Sequence, residues 1–366
     1  MAPDPELPAV ELRSVFETGA IDPAAVTIER VYEPVASASS GIWRITLGSS
    51  TAILKLIAHS PDGNPNWRSG EDPAHWYYWR REVLAYETGL LDALSGGLRA
   101  PKCRLIATRA DGSVALWLED VQSEPATVWA VERYGIAARH LGQTQGAFLT
   151  ERPLPDHEWL SRDWLRSYLL QRDGDTELVE RADLWAHPRL APWFSEPPIE
   201  RQLAMRRDQP RFLAALDALP RTLCHLDLHP ANLFGDDAAD VTTAIDWSFM
   251  GIGAIGEDAG NLVPDSVLDF HVEPAHLDDL YEVVADGYAA GLRDAGWVGT
   301  DATVRLSMAA TIAAKYAWIA PAMLRAVAED RELLNRRAIA ESLEWWAPTI
   351  GFLLDRADEA RSLLER

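Results

Sequence analysis

The sequence predicts an α+β arrangement of two lobes: a small antiparallel sheet with one helix, then a larger, mostly helical part. Three observations predict it. Between Val26 and Val121, apolar residues alternate or run in short stretches broken by turn residues. After Val121 the apolar spacing turns helical. A chain of 366 residues with 48% hydrophobic content is long enough for two lobes rather than one. The expected division is 1–121 and 122–366, with a helical insertion near 148–220 and a cleft between the lobes.

In chain order, "GIWRITL" and "TAILKLI" flank Gly48-Ser49-Ser50 and read as an antiparallel hairpin. Residues 61–73, rich in Gly, Pro, Asn and Ser, read as a loop. In "HWYYWRREVLAYETGLLDAL", Trp76, Trp79, Val83, Tyr86 and Leu90 fall on one helical stripe. "KCRLIAT" and "SVALWLEDV" supply two more strands around Ala110-Asp111-Gly112. Beyond Val121, helices are expected near 128–149, 159–171, 199–218, 276–295, 302–328 and 331–363. Strands are expected there only in "RTLCHLDL" with "ANLF", and in "VTTAIDW". The chain has no internal repeat and no low-complexity tract.

A net charge of -22, from 34 basic and 56 acidic residues, disfavours nucleic acid and anionic membranes as partners. It mildly favours a cationic small molecule, although an acidic surface also serves solubility alone. Cys103 and Cys224 form neither a disulfide framework nor a paired metal signature. The N-terminal stretch has no basic start and no apolar run, and "MAATIAAKYAWIAPAML" carries Lys315 and Pro321, so it reads as a core helix. A cytoplasmic location is expected.

Chemistry concentrates in "CHLDLHPANLFG", residues 224–235. Polar groups so close to apolar neighbours need partners or a task. Pro230 pushes His229 toward an extended conformation, which makes the segment a loop. Asn232 follows Asp227 by five residues, and the strand "VTTAIDW" ends in Asp246. Hairpin-related strands bring Asn232 and Asp246 together as hard oxygen ligands, a set that suits Mg2+ shared with substrate phosphates. Asp227 then stands beside the metal, where a group taking a proton from an attacking hydroxyl belongs.

"HLDLHPANLF" and "AIDW" resemble the His-x-Asp-x-x-x-x-Asn loop and metal-binding Asp of the aminoglycoside phosphotransferase and choline kinase-like superfamily, a small-molecule branch of the protein-kinase fold. Leu226 stands where that family usually has Gly. The resemblance implies Mg2+ as cofactor, ATP or GTP as phosphoryl donor and a small-molecule hydroxyl as acceptor. It makes Asp227 the catalytic base and Asn232 and Asp246 the metal ligands, with His225, His229 and Asp258 in supporting roles. Asp258 takes the Asp position of the family's G-x-x-x-x-D-L-A element in "GIGAIGEDAGNLV".

Lys55, alternating with Ile53 and Ile57, matches the lysine that holds nucleotide phosphates; snorkelling from an edge strand is the alternative. "RREVLAYETGLL" resembles the R-E-x-x-x-Y pattern and selects Glu82 as the carboxylate that positions Lys55. "ASASSGIWRI" occupies the place of the nucleotide-covering turn, with Ser37, Ser39 and Ser40 as phosphate contacts; an ordinary turn is the alternative. "ALWLEDV" resembles the lobe-linking segment, where backbone groups of Glu119 to Val121 meet the purine edge. Missing Asp-Phe-Gly and Ala-Pro-Glu motifs argue against a protein substrate.

The expected function is antibiotic-inactivating phosphoryl transfer. A metabolic kinase for a sugar, amino alcohol or homoserine-like acceptor is the alternative, and a nucleotide-binding pseudokinase is a second. Fifteen tryptophans, many outside the motifs, either line the acceptor pocket or fill the core.

Overall fold

The computed structural model describes residues 4–32, 38–59, 67–172 and 176–366. Strands β1 (Val26–Tyr32), β2 (Ser39–Leu47), β3 (Ser50–Ile57), β4 (Cys103–Thr108) and β5 (Val114–Glu119) form an antiparallel sheet in the order β1-β2-β3-β5-β4. Period-two alternation gives this sheet two apolar faces. Trp43, Ile45, Leu54, Ala115 and Trp117 pack on one of them against Leu12 and Val15 of α1 (Ala9–Val15), an element the sequence pattern did not announce. Buried Glu11 of α1 accepts from the Trp117 indole at 2.8 Å and from Arg109 at 2.9 Å, which holds the helix in place. On the other face, Ile57, Val114, Leu116 and Leu118 meet Val83 of α2 (Arg81–Glu87). Lys55, two residues before Ile57, shares that face.

The helical stripe expected from Trp76 to Leu90 shrinks to α2. Trp79 N–H donates to Gly70 O at 3.2 Å, while Arg81 takes the His75 and Trp76 carbonyls at 2.7 and 2.9 Å. A helix would have used those carbonyls itself. Gly89, at φ 69°, then ends the helical path.

The helical part is built around α3 (Val131–Thr150), α4 (Trp164–Leu170), α5 (Ile199–Ala218), α6 (Glu257–Leu268), α7 (Leu277–Asp294), α8 (Asp301–Lys315), α9 (Ile319–Ala328) and α10 (Ile339–Leu364). Helices α3 and α7 cross backbone to backbone: a Cβ on Gly287 would lie 2.1 Å from Gly135 O, and one on Gly291 2.0 Å from Arg139 O. The single helix expected over 302–328 divides between α8 and α9, which places Pro321 in a first turn, where its missing N–H costs nothing. The start of the expected 331–363 helix is a hairpin, Leu333–Leu334 with Arg337–Ala338, turned by Asn335 and Arg336, both at positive φ.

Between these layers lie short strands. β6 (Arg221–Cys224) pairs antiparallel with β9 (Gly251–Ala254), and β7 (Leu233–Asp236) with β8 (Val241–Ala244). β9 and α6 escaped the sequence reading because "GIGAIG" carries weak strand signal and α6 contains Pro264. Leu98–Arg99 runs parallel to β8 and joins the first sheet's connections to this layer. No helix among the described residues is long and apolar enough to cross a membrane.

Candidate functional site

The β7–β8 hairpin brings two of the expected residues together, as Ile245 N–H donates to Asn232 O at 2.9 Å beside Asp246. Asn232 is buried and its Nδ2 donates to Asp227 O at 2.9 Å, so its amide oxygen is left to face a ligand. Asp246 stands in the left-handed region at φ 59°. Its Oδ1 accepts from Lys55 Nζ at 2.8 Å, and the same ammonium lies 2.5 Å from Glu82 Oε2. Three residues that are distant in sequence thus form one triad linking sheet, α2 and hairpin, with Lys55 and Glu82 buried and Asp246 partly exposed.

Burial opposes ionisation of Asp246, but the Lys55 charge and hydrogen bonds overcome it and hold the carboxyl down at about 2. For Lys55, burial works against the charged form, while Asp246 and Glu82 outweigh it and raise its pKa above the ordinary value. Glu82, almost wholly enclosed, is raised by that burial despite Lys55.

Asp227 is half-buried and its carboxylate takes no hydrogen bond among the described residues. The loop behind it is heavily braced. Asp258 Oδ1 and Oδ2 accept the N–H groups of Leu226 and His225 at 2.7 and 2.8 Å. Gln145 Nε2 donates to Asp258 Oδ2 at 2.7 Å, and Tyr288 donates to Gln145 while accepting from Gly256 N–H at 2.9 Å. Neither Gln145 nor Tyr288 carries a sequence signal, because a single polar residue in a helix looks like any other.

Leu226 adopts φ 68°, the conformation that Gly takes freely. The loop therefore keeps its shape despite the substitution, with about 1–2 kcal/mol of backbone strain opposed by complete burial of the leucine side chain. His225 Nε2 donates to Ile245 O at 2.8 Å, its Nδ1 accepts from Asp227 N–H at 3.3 Å, and its ring lies 4.6 Å from that of Trp247. His229 is extended at φ -143°, and its buried Nδ1 has no partner among the described residues.

The expected nucleotide contacts fall in different places. Ser37 lies outside the described residues. Ser39 and Ser40 belong to β2 rather than to a turn: Ser39 pairs with Ile57, Gly41 with Leu56, and Ser40 is the bulged residue between them. Gly41 is needed there, because a Cβ would lie 2.3 Å from the Trp43 ring. Glu119 spends its backbone N–H on Lys102 O at 2.8 Å and its carboxylate on Arg99 at 2.7 and 3.0 Å, so neither of these groups is free to meet a purine. Val121 N–H and C=O take no hydrogen bond among the described residues.

Arg81, beside Glu82, was also missed. It is fully buried and donates to the carbonyls of His75, Trp76, Trp159 and Ser248 at 2.7 to 3.1 Å. Ser248 lies two residues past Asp246, so Arg81 ties α2 to the carboxylate loop.

Among the described residues no cluster of three His, Cys, Asp or Glu could hold a metal alone. The oxygens present, an ionised Asp246 carboxylate and the outward Asn232 amide, instead fit a hard cation that completes its shell with water and phosphate oxygens.

The family described as Phosphotransferase enzyme family matches residues 31–298. Among solved structures, an amicoumacin kinase in complex with AMP-PNP, Ca2+ and Ami is similar at 14% identity and TM-score 0.54, over 96% of this chain and 92% of that one. A choline kinase from Cryptosporidium parvum Iowa II is similar at 12% identity and TM-score 0.50, over 94% and 92%. Both likenesses are of fold. No curated protein matches the chain by sequence.

Proposed function

The chain belongs to the phosphotransferase enzyme family, and from that premise we propose that it moves the γ-phosphoryl group of a Mg2+-bound nucleoside triphosphate to a hydroxyl of a small, antibiotic-like molecule. One observation carries this reading: an unbonded Asp227 carboxylate on a rigid loop, beside a hairpin that presents Asn232 and Asp246, with Lys55 and Glu82 ion-paired behind them.

Lys55 supplies a fixed positive charge for nucleotide phosphates, and Glu82 keeps that charge in place. Asp246 and Asn232 hold the cation, which when bound neutralises developing negative charge on the phosphate oxygens. Asp227 orients the acceptor hydroxyl and takes its proton as the oxygen attacks phosphorus. His225 keeps Asp227 aimed by accepting its backbone N–H, and Asp258 by accepting the N–H groups of the two residues before it. Val121 remains as the backbone contact to the purine. The division into lobes after Val121 and a cytoplasmic location belong to the same reading.

A metabolic kinase would use the same groups on a different acceptor. A pseudokinase is disfavoured, since Lys55, Asp227, Asn232 and Asp246 are all present. The deciding experiment incubates the chain with Mg2+ and ATP or GTP against sugars, amino alcohols, hydroxy acids and antibiotics, and reads a mass gain of one phosphoryl group on an acceptor. Turnover with antibiotics alone is the expected result; turnover with a common metabolite instead selects the metabolic kinase, and none with any acceptor selects the pseudokinase.

A further inference from the structure

An aromatic wall leads away from the proposed base. Phe249, three residues past Asp246, lies 4.8 Å from Tyr77 and 5.8 Å from Trp164, and Trp164 stacks on Tyr168 at 5.1 Å. Two cations of the chain itself already cover the far end. Lys315 Nζ is 5.3 Å from the Trp164 ring and 5.6 Å from Tyr168, is buried, and is paired with Asp265 at 3.1 Å. The Arg172 guanidinium is 4.9, 5.2 and 4.7 Å from the rings of Tyr168, Trp67 and Trp318. It has no carboxylate partner among the described residues, and with Trp67 and Trp318 it forms the half-buried end of the wall.

The wall is also short of hydrogen-bond acceptors. The indole N–H groups of Trp164 and Trp318 are buried with no partner among the described residues. An indole N–H can only donate, and a buried donor left unmade is costly. A guanidinium held by three rings and two idle donors therefore wait for oxygen. A cationic group would add donors and meet like charge. A carboxylate or phosphate supplies what is missing, and its two oxygens match the guanidinium fork.

We propose that the acceptor carries an anionic oxygen group, of carboxylate or phosphate chemistry, held by Arg172 and the Trp318 indole with a flat portion of the molecule against Trp67. This deepens, and rests on, the reading of Asp227 as the base that faces the acceptor. The mild preference for a cationic acceptor drawn from net charge is reversed at this wall, because Asp265 is already spent on Lys315 while Arg172 has no carboxylate partner among the described residues.

The test is calorimetric titration of the full chain with benzoate, phenyl phosphate, benzamide and benzylammonium. At least one anion should bind about tenfold more tightly than the amide and the ammonium, and the tighter of the two anions names the chemistry. Arg172→Gln should erase that difference. Trp318→Phe, which keeps the ring and is the fold-safe variant, should weaken the anion about threefold and leave benzamide unchanged. Benzamide or benzylammonium binding as well as the anions, a difference that survives Arg172→Gln, or no loss in Trp318→Phe would overturn the proposal. Phosphoryl transfer from Mg-ATP is assayed in parallel. Anion binding without any nucleotide turnover would sink the phosphotransferase reading and leave the subsite standing; turnover without anion preference would sink the subsite alone.

Discussion

Asp227 and Asp246 are both carboxylates on the same small layer, yet their surroundings give them different work. Asp246 is locked against Lys55 and stays ionised down to about 2, while Asp227 has only backbone anchors among the described residues, none of which bonds its carboxylate. Asp227→Asn should lower the transfer rate by about 10²–10⁴-fold and change Mg-nucleotide affinity by no more than a few fold; single-turnover kinetics beside calorimetry checks this, and near-normal transfer would remove Asp227 from its role. Asp246→Ala should abolish both transfer and the Mg2+ dependence of nucleotide binding, because it takes away the charged oxygen of the pair. Nucleotide titrations with and without Mg2+ read that directly. The depressed Asp246 pKa also adds stability that is fully present above the ordinary carboxylate range and lost as the pH falls through about 2.

Helix α6 shows what an element can contribute without touching substrate. Its Asp258 is the anchor of the loop that carries Asp227, and its first residue, Glu257, is buried with Oε2 accepting Ala254 N–H at 2.9 Å. Burial pushes the Glu257 carboxyl up to about 7, more than Ala254 and Arg221 pull it down. A carboxyl raised in the folded state costs stability as the unfolded chain ionises. The loss therefore begins near 4.5, the ordinary value, and levels off above about 7. Glu257→Gln keeps the acceptor for Ala254 and removes the titration. The variant should match the wild type below pH 4.5 and gain stability above it, by an amount on the order of 3 kcal/mol past pH 7. Urea unfolding at pH 4.5, 6 and 8 measures the difference, and parallel pH profiles for the two proteins would refute the account. The helix α2 end is held differently, by Arg81 donating to four carbonyls from three segments.

At the scale of the molecule, the Lys55–Glu82–Asp246 triad and Arg81 join the first sheet to the helical part at the place where nucleotide is proposed to bind. Ligand bound across that junction should stabilise the chain as one unit. Mg-ATP at a hundred times its Kd should add about 2.7 kcal/mol and raise the Tm of a single transition. Removing Mg2+ with EDTA should return most of that shift. A calorimetric scan in which only one of two resolved transitions moves would show that the nucleotide contacts one part alone.

The sequence by itself determined the α+β class, the strand alternation on both sides of Lys55, and the identities and spacing of Asp227, Asn232 and Asp246. It could do so because strand period and loop chemistry are local: "TAILKLI" and "HLDLHPANLF" say the same thing wherever the chain places them. Tertiary structure decided which carbonyls were already taken. Arg81 claims those of His75 and Trp76 and cuts the expected helix to seven residues, while the Glu119 amide goes to Lys102 instead of a purine. Leu226 holds a glycine conformation because Asp258, braced by Gln145, fixes its N–H and a packed interior takes its side chain. The charge at the aromatic wall is likewise set by residues far apart in sequence, Arg172 and the paired Lys315 and Asp265, against a net charge that points the other way. Hydrogen bonds and ion pairs between distant segments leave no periodic trace in a sequence, since each partner is free to vary until the fold brings the two together.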